Sequence, residues 1–117
     1  MKLITKEIKA KLLANQGKDN CYPVLKLFNP VGSGTWLITE MHDDEDTLWG
    51  LCDLGFGFPE LGTVSLKELE SVQLQFGLGI ERDLYWEPEH RIDTYYELWN
   101  KQGGTVQWNI GQLSLAN

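Results

Sequence analysis

The residues best suited to chemistry in this 117-residue chain are an arginine flanked by two acids, a run of four acids, two cysteines and two histidines. The arginine comes first. In an extended segment successive side chains alternate, so in Glu81-Arg82-Asp83 the middle residue shares a face with Ile80 and Leu84 and is expected to point inward. A guanidinium there needs a carboxylate, because removing one partner of a buried ion pair costs about 3–5 kcal/mol. Glu40, which alternates onto the face of Trp36 and Ile38, is one candidate partner, and Glu70 is another. Such a pair would fix sheet against helix. The functional alternative is an anion or carboxylate site around Arg82, walled by Trp36, Trp49 and Tyr85. If exposed, these residues would instead form an interaction surface, since Trp, Tyr and Arg are favoured at binding hot spots.

The run Asp43-Asp44-Glu45-Asp46 invites a calcium reading that its spacing does not support. An EF-hand loop started at Asp44 puts Leu48 at position five and Trp49 at position six, where a ligand and a glycine are needed. A solvated loop, or an acidic docking patch built on Asp43, Asp44 and Asp46, is expected instead. Cys21 and Cys52 lack metal-type spacing, and His42 and His90 do not complete a ligand set. Neither histidine stands in a recognisable nucleophile–base arrangement. Cys52 alternates with Leu48 and Gly50, which suits a small core residue. The glycine pairs at 32/34, 55/57 and 77/79 lack the context of a phosphate-binding loop and are read as turns. No cofactor, metal or catalytic residue is expected.

The elements that must position these residues follow from periodicity. Thr5 can cap a helix to about Ala14 that carries Ile8, Leu12 and Leu13 on one side. Residues 23–28 and 35–41 are β-prone around a Gly-Ser-Gly turn, 47–53 continues a meander, and 61–64 can add a fourth strand. Ser65-Leu66-Lys67-Glu68 fits a capping box before a short helix with Leu66, Leu69 and Val72 on one face. Residues 80–86 are expected as a further strand. A helix over 89–101 carries Ile92, Tyr95, Tyr96 and Trp99, either as core packing or as a partner-binding stripe, and Gly103-Gly104 separates it from an alternating run at 106–110. The expectation is one α+β domain over residues 1–117. It comprises an antiparallel sheet of about four or five strands with an N-terminal helix, a short capped helix and a C-terminal helix.

Charge narrows the company such a domain keeps. The chain carries ten basic and seventeen acidic residues, a net of −7. Residues 1–26 hold six lysines against two acids, so residues 27–117 hold four basic groups against fifteen acidic ones, a net of −11. That body repels phosphates, which disfavours direct nucleic-acid binding. It suits a basic protein partner, including one that itself handles nucleic acid. No stretch approaches the ~20 apolar residues of a membrane span, and no signal-peptide pattern opens the chain, so a reduced cytoplasmic setting is expected.

Several segments resemble a small bacterial family, domain of unknown function family 2958. They are Leu3-Ile4-Thr5-Lys6-Glu7-Ile8, Thr35-Trp36, Thr39-Glu40, Trp49-Gly50-Leu51, Glu60-Leu61-Gly62 with Ser65-Leu66, Leu69-Glu70-Ser71-Val72, and Gly77-Leu78 with Ile80-Glu81-Arg82-Asp83-Leu84-Tyr85. The likeness covers about residues 1–88, leaving 89–117 as an extension. It implies a short protein often carried on plasmids, phages and other mobile elements, with no reaction or cofactor to transfer. Together with the charge, it leads us to expect a non-enzymatic binding or accessory protein, most concretely an anti-defence inhibitor that docks onto a basic surface. The alternatives are a small-ligand binder or enzyme with a pocket near Arg82, and a structural subunit of a mobile-element assembly.

Overall fold

Residues 2–101 are described by a computed structural model. The alternating run at 106–110 lies outside the described residues. Helix α1 (Lys6–Ala14) starts where the Thr5 hydroxyl accepts the Ile8 N–H at 3.1 Å. Four strands follow: β1 (Leu25–Phe28), β2 (Thr35–Met41), β3 (Thr47–Asp53) and β4 (Glu60–Ser65). Helix α2 (Leu66–Ser71), a 3₁₀ turn at 75–77, strand β5 (Glu81–Arg82) and helix α3 (Ile92–Lys101) complete the order. The sheet is antiparallel throughout, in the order β4-β3-β2-β1-β5. This is the expected α+β fold.

The sheet is covered on both faces, so it separates two cores. On one side Leu25, Leu27, Trp36, Ile38, Met41 and Leu48 meet Leu12 of α1, Leu66 and Leu69 of α2, and Leu3 and Ile80. On the other, Leu37 and Leu51 meet Ile92, Tyr95, Leu98 and Trp99 of α3. The aromatic stripe of α3 is therefore packed on the sheet, as its spacing of three and four residues requires. Strand β2 lies at the centre with every residue but Glu40 buried.

Register and turns produce the differences from simple alternation. Ile38 pairs with Gly50 while Glu40 pairs with Trp49, so two steps along β2 oppose one along β3. This bulge at Thr39 moves Glu40 off the face of Trp36 and Ile38 and onto that of Trp49, correcting the expected face. The last strand is shorter than the predicted 80–86. After Arg82, the Asp83 N–H donates to the Lys26 carbonyl at 3.0 Å, and the Asp83 carboxylate accepts the Tyr85 N–H at 3.0 Å, turning the chain away. Leu84 is consequently exposed and not a core residue. The start of α2 also differs in detail. Ser65 accepts the Glu68 N–H at 3.2 Å, while Asp46 from the acidic run accepts both the Ser65 hydroxyl and the Lys67 N–H at 2.8 Å.

The buried ion pair of this fold is Lys26–Asp83. The ammonium, 4% exposed, lies 3.2 Å from the carboxylate of Asp83, itself 16% exposed, and the contact ties β1 to the turn after β5. We expect Lys26→Met to lower the unfolding free energy by about 3 kcal/mol, because the Asp83 charge is left without its partner. Adding Asp83→Asn should restore at least half of that loss in chemical denaturation. An unchanged denaturation midpoint in the single variant would contradict the pairing argument. A methyl group at Gly50 would lie 2.0 Å from the Leu37 carbonyl oxygen, so Gly50→Ala should cost about 3 kcal/mol by the same measurement.

Candidate functional site

Arg82 does not form the centre that alternation suggested. Its guanidinium is half-buried and donates to the Leu3 carbonyl at 2.8 Å, while the Leu3 N–H donates to Glu70 at 3.0 Å. Arg82 and Glu70 thus hold the backbone carbonyl and N–H of one residue, Leu3, in the N-terminal segment. Among the described residues no carboxylate pairs with Arg82; the register sets Arg82 across β1 from Trp36, so Glu40 lies four residues further along β2, and the bulge turns it to the other face. The proposed aromatic wall is also dispersed. Trp36 is 6% exposed under α1 and α2, Trp49 packs on the α3 side, and Tyr85 is 82% exposed beyond the Asp83 turn. A cleft of about 260 Å³ does adjoin Arg82, lined also by Ile8, Val24, Lys26, Asp83 and Trp86.

The acidic residues fare differently. Glu40, Asp43 and Asp44 come together with His42 and Gln16 around an open cleft of about 490 Å³. The Gln16 amide bridges the Met41 carbonyl at 2.8 Å and Asp43 at 3.0 Å, which anchors the β2–β3 loop to the end of α1. Glu45 pairs with Lys9 on the surface. Asp44 holds the loop itself, accepting the Thr47 hydroxyl and N–H and the Asp46 N–H at 2.5–2.9 Å. Those three donors, the Thr47 hydroxyl foremost, stabilise its charged form and lower its pKa from 3.8 to about 2. Asp46 is turned away into the start of α2, so it serves that helix and does not line the acidic cleft.

Residues 55–58, expected only as turn glycines, carry exposed apolar side chains, as do Phe76 and the Leu84–Tyr85 turn. Leu54, Phe56 and Phe58 are 60%, 79% and 78% exposed. The loop has a definite shape. Gly55 and Gly57 adopt φ of 90° and 88°, a region favouring glycine. Asp53 accepts the Gly55 N–H at 2.7 Å and, with its other oxygen, the Trp99 indole N–H at 2.8 Å. A side chain at Gly55 would collide with Ser33 of the β1–β2 loop. One signal could have exposed the loop: Leu51 and Leu61 already fill the core positions of the flanking strands, leaving no inward place for two phenylalanines. From Leu27 to Leu66 the chain has seven carboxylates and neither Lys nor Arg, so both loops belong to a purely acidic segment.

His42 is exposed in the acidic loop, and His90 stacks edge-on against Tyr95 at 5.2 Å. Burial, with the nearby Glu60 charge, raises the Cys52 thiol to about 11. Among the described residues no group of three or more His, Cys, Asp or Glu is placed to hold a metal ion.

Because the folded Asp44 carboxyl titrates below its unfolded value of 3.8, its contribution to stability is complete above that pH and disappears as pH falls toward about 2. Asp44→Asn should flatten the loss of stability across that window, and a carboxyl titration followed by NMR should place Asp44 near 2. A value near 3.8 would contradict the hydrogen-bonded loop.

No curated protein matches the chain, and no solved structure matches it. The family described as "Protein of unknown function (DUF2958)" matches residues 3–106, which extends the likeness past residue 88 and takes in all of α3. With the match spanning most of its length, the chain belongs to that family.

Proposed function

We propose that this protein is a non-enzymatic binding or accessory protein that acts through protein contacts, with the Leu54–Phe58 loop as its apolar anchor. The single observation that carries this reading is the exposure of Phe56 and Phe58 at 79% and 78% in a fold whose two cores are already filled. Aromatic side chains presented on a shaped loop are the groups that anchor protein interfaces. Single exposed apolar residues are common, whereas a contiguous set on one loop marks a contact surface.

Charge selects the partner's chemistry. The anchor sits in a segment with seven carboxylates and no basic residue, so the complementary surface is an apolar pocket rimmed by Lys and Arg. Glu40 and Asp43, at the other end of β2, extend the acidic field and would steer association in a salt-dependent way. A basic, nucleic-acid-handling protein fits this description, and an anti-defence inhibitor carried by a mobile element is its most concrete form. The cleft beside Arg82 supports a ligand-binding or enzymatic reading less well, since the Lys26 charge beside it is already taken by Asp83.

Affinity capture from the native host, followed by calorimetry with the purified partner, tests this reading. A cationic protein should bind the wild type at least tenfold more weakly at 0.5 M than at 0.05 M salt. Phe56→Ser/Phe58→Ser should lose at least tenfold in affinity with unchanged thermal stability. Salt-independent affinity, or equal binding by the double variant, would overturn the proposal.

A further inference from the structure

A third cleft, beside α1, has an electrostatic character opposite to that of the acidic cleft. It encloses about 480 Å³ between α1, residues 21–24 and the segment leading into α3, within the usual range of small-ligand sites. Its lining is mainly apolar: buried Pro23, half-buried Val24, and exposed Ala14, Tyr22 and Pro88. Its charged groups are Lys11 and Arg91, and no carboxylate lines it, although acids outnumber bases seventeen to ten in the chain. Neither cation has a carboxylate partner among the described residues, whereas Lys9 and Lys26 are both paired. Asp19 and Asp93 lie nearby in sequence but do not line the cleft.

The cleft is also held in shape. Arg91 donates to the Asn20 carbonyl at 3.1 Å, and its guanidinium carbon lies 4.8 Å from the centre of the Tyr22 ring. That stacking leaves the other guanidinium N–H groups available as donors. The Ile92 and Asp93 N–H groups reach the Cys21 carbonyl at 2.9 Å and the Asn20 side chain at 3.1 Å, locking the 20–22 turn to the first turn of α3. A wall fixed in advance loses little entropy when a ligand arrives.

We propose that this cleft binds a small amphipathic anion, one carboxylate, sulfonate or phosphate group carried on a flat apolar body. The anionic group meets Arg91 and Lys11, and the body lies against Tyr22, Pro23 and Pro88. Two cations suit a singly or doubly charged ligand and not a polyanion, and the mainly apolar lining discriminates against free inorganic phosphate. This site is independent of the Phe56–Phe58 loop.

The test uses a pair of fluorescent probes, 8-anilinonaphthalene-1-sulfonate and its uncharged counterpart N-phenyl-1-naphthylamine, titrated into the full chain. The sulfonate should bind at a single saturable site, and Lys11→Met/Arg91→Met should weaken it at least tenfold while leaving the uncharged probe within threefold. Should the double variant melt early, Lys11→Met alone, at an exposed residue, should still weaken the sulfonate at least threefold. Phe56→Ser/Phe58→Ser should leave sulfonate binding unchanged. Bound sulfonate should also slow alkylation of Cys21, read by peptide mass spectrometry against Cys52, which does not line the cleft. Binding abolished by the phenylalanine substitutions but untouched by Lys11→Met/Arg91→Met would overturn the proposal, as would inorganic phosphate competing as well as an aryl carboxylate.

Discussion

Everything in this fold depends on a sheet that is covered on both faces. Strand β2 has α1 and α2 on one side and α3 on the other, and all but one of its residues are buried. A polar group on such a strand, or on its neighbours, must find a partner inside the protein or destabilise it. Lys26, Thr39 and Asp53, between 2% and 4% exposed, show the consequence. Lys26 meets Asp83, the Thr39 hydroxyl donates to the Trp49 carbonyl at 3.3 Å, and Asp53 takes the Trp99 indole. The Thr39 contact lies within the sheet, between β2 and β3, whereas those of Lys26 and Asp53 also fix where the turn after β5 and helix α3 dock.

The side chains that could do chemistry are largely occupied in structure: Arg82 and Glu70 hold Leu3, Asp46 starts α2, and Asp44 shapes its own loop. Among the features that the described residues present outward are a loop of apolar side chains at one end of the sheet, an acidic cleft at the other, and a cationic cleft with a mainly apolar lining beside α1. Surface of this kind is suited to recognition. Loops and clefts of contrasting charge on a rigid support are how a small scaffold separates one partner from another.

Most of the fold was legible in the sequence because periodicity and caps agreed. Thr5 and Ser65 cap helices where their spacing placed them, and the α3 stripe of Ile92, Tyr95 and Trp99 packs inward as expected. What was hidden was local. Nothing in Ile38-Thr39-Glu40 announces a bulge, because a bulge is set by the register of the neighbouring strand, here the close approach of Gly50 to β2. Asp83 looked like one more strand residue, yet its bonds to Lys26 and Tyr85 end the strand. Of the candidate site residues, Glu40, Asp43 and Asp44 converge, while Trp36, Trp49, Arg82 and Tyr85 do not. The Phe56–Phe58 loop was overlooked because the turn logic of its glycines explained the backbone and left the side chains unconsidered.

In the function we propose, recognition is carried by surface loops on an unchanging, doubly covered sheet. Hydrogen exchange of the chain with and without its captured protein partner tests this most directly. Protection should rise in residues 54–59 and 40–46 and stay constant in β2 and at the Arg82 turn. New protection centred on residues 24–26 and 82–86, with the two loops unaffected, would contradict it.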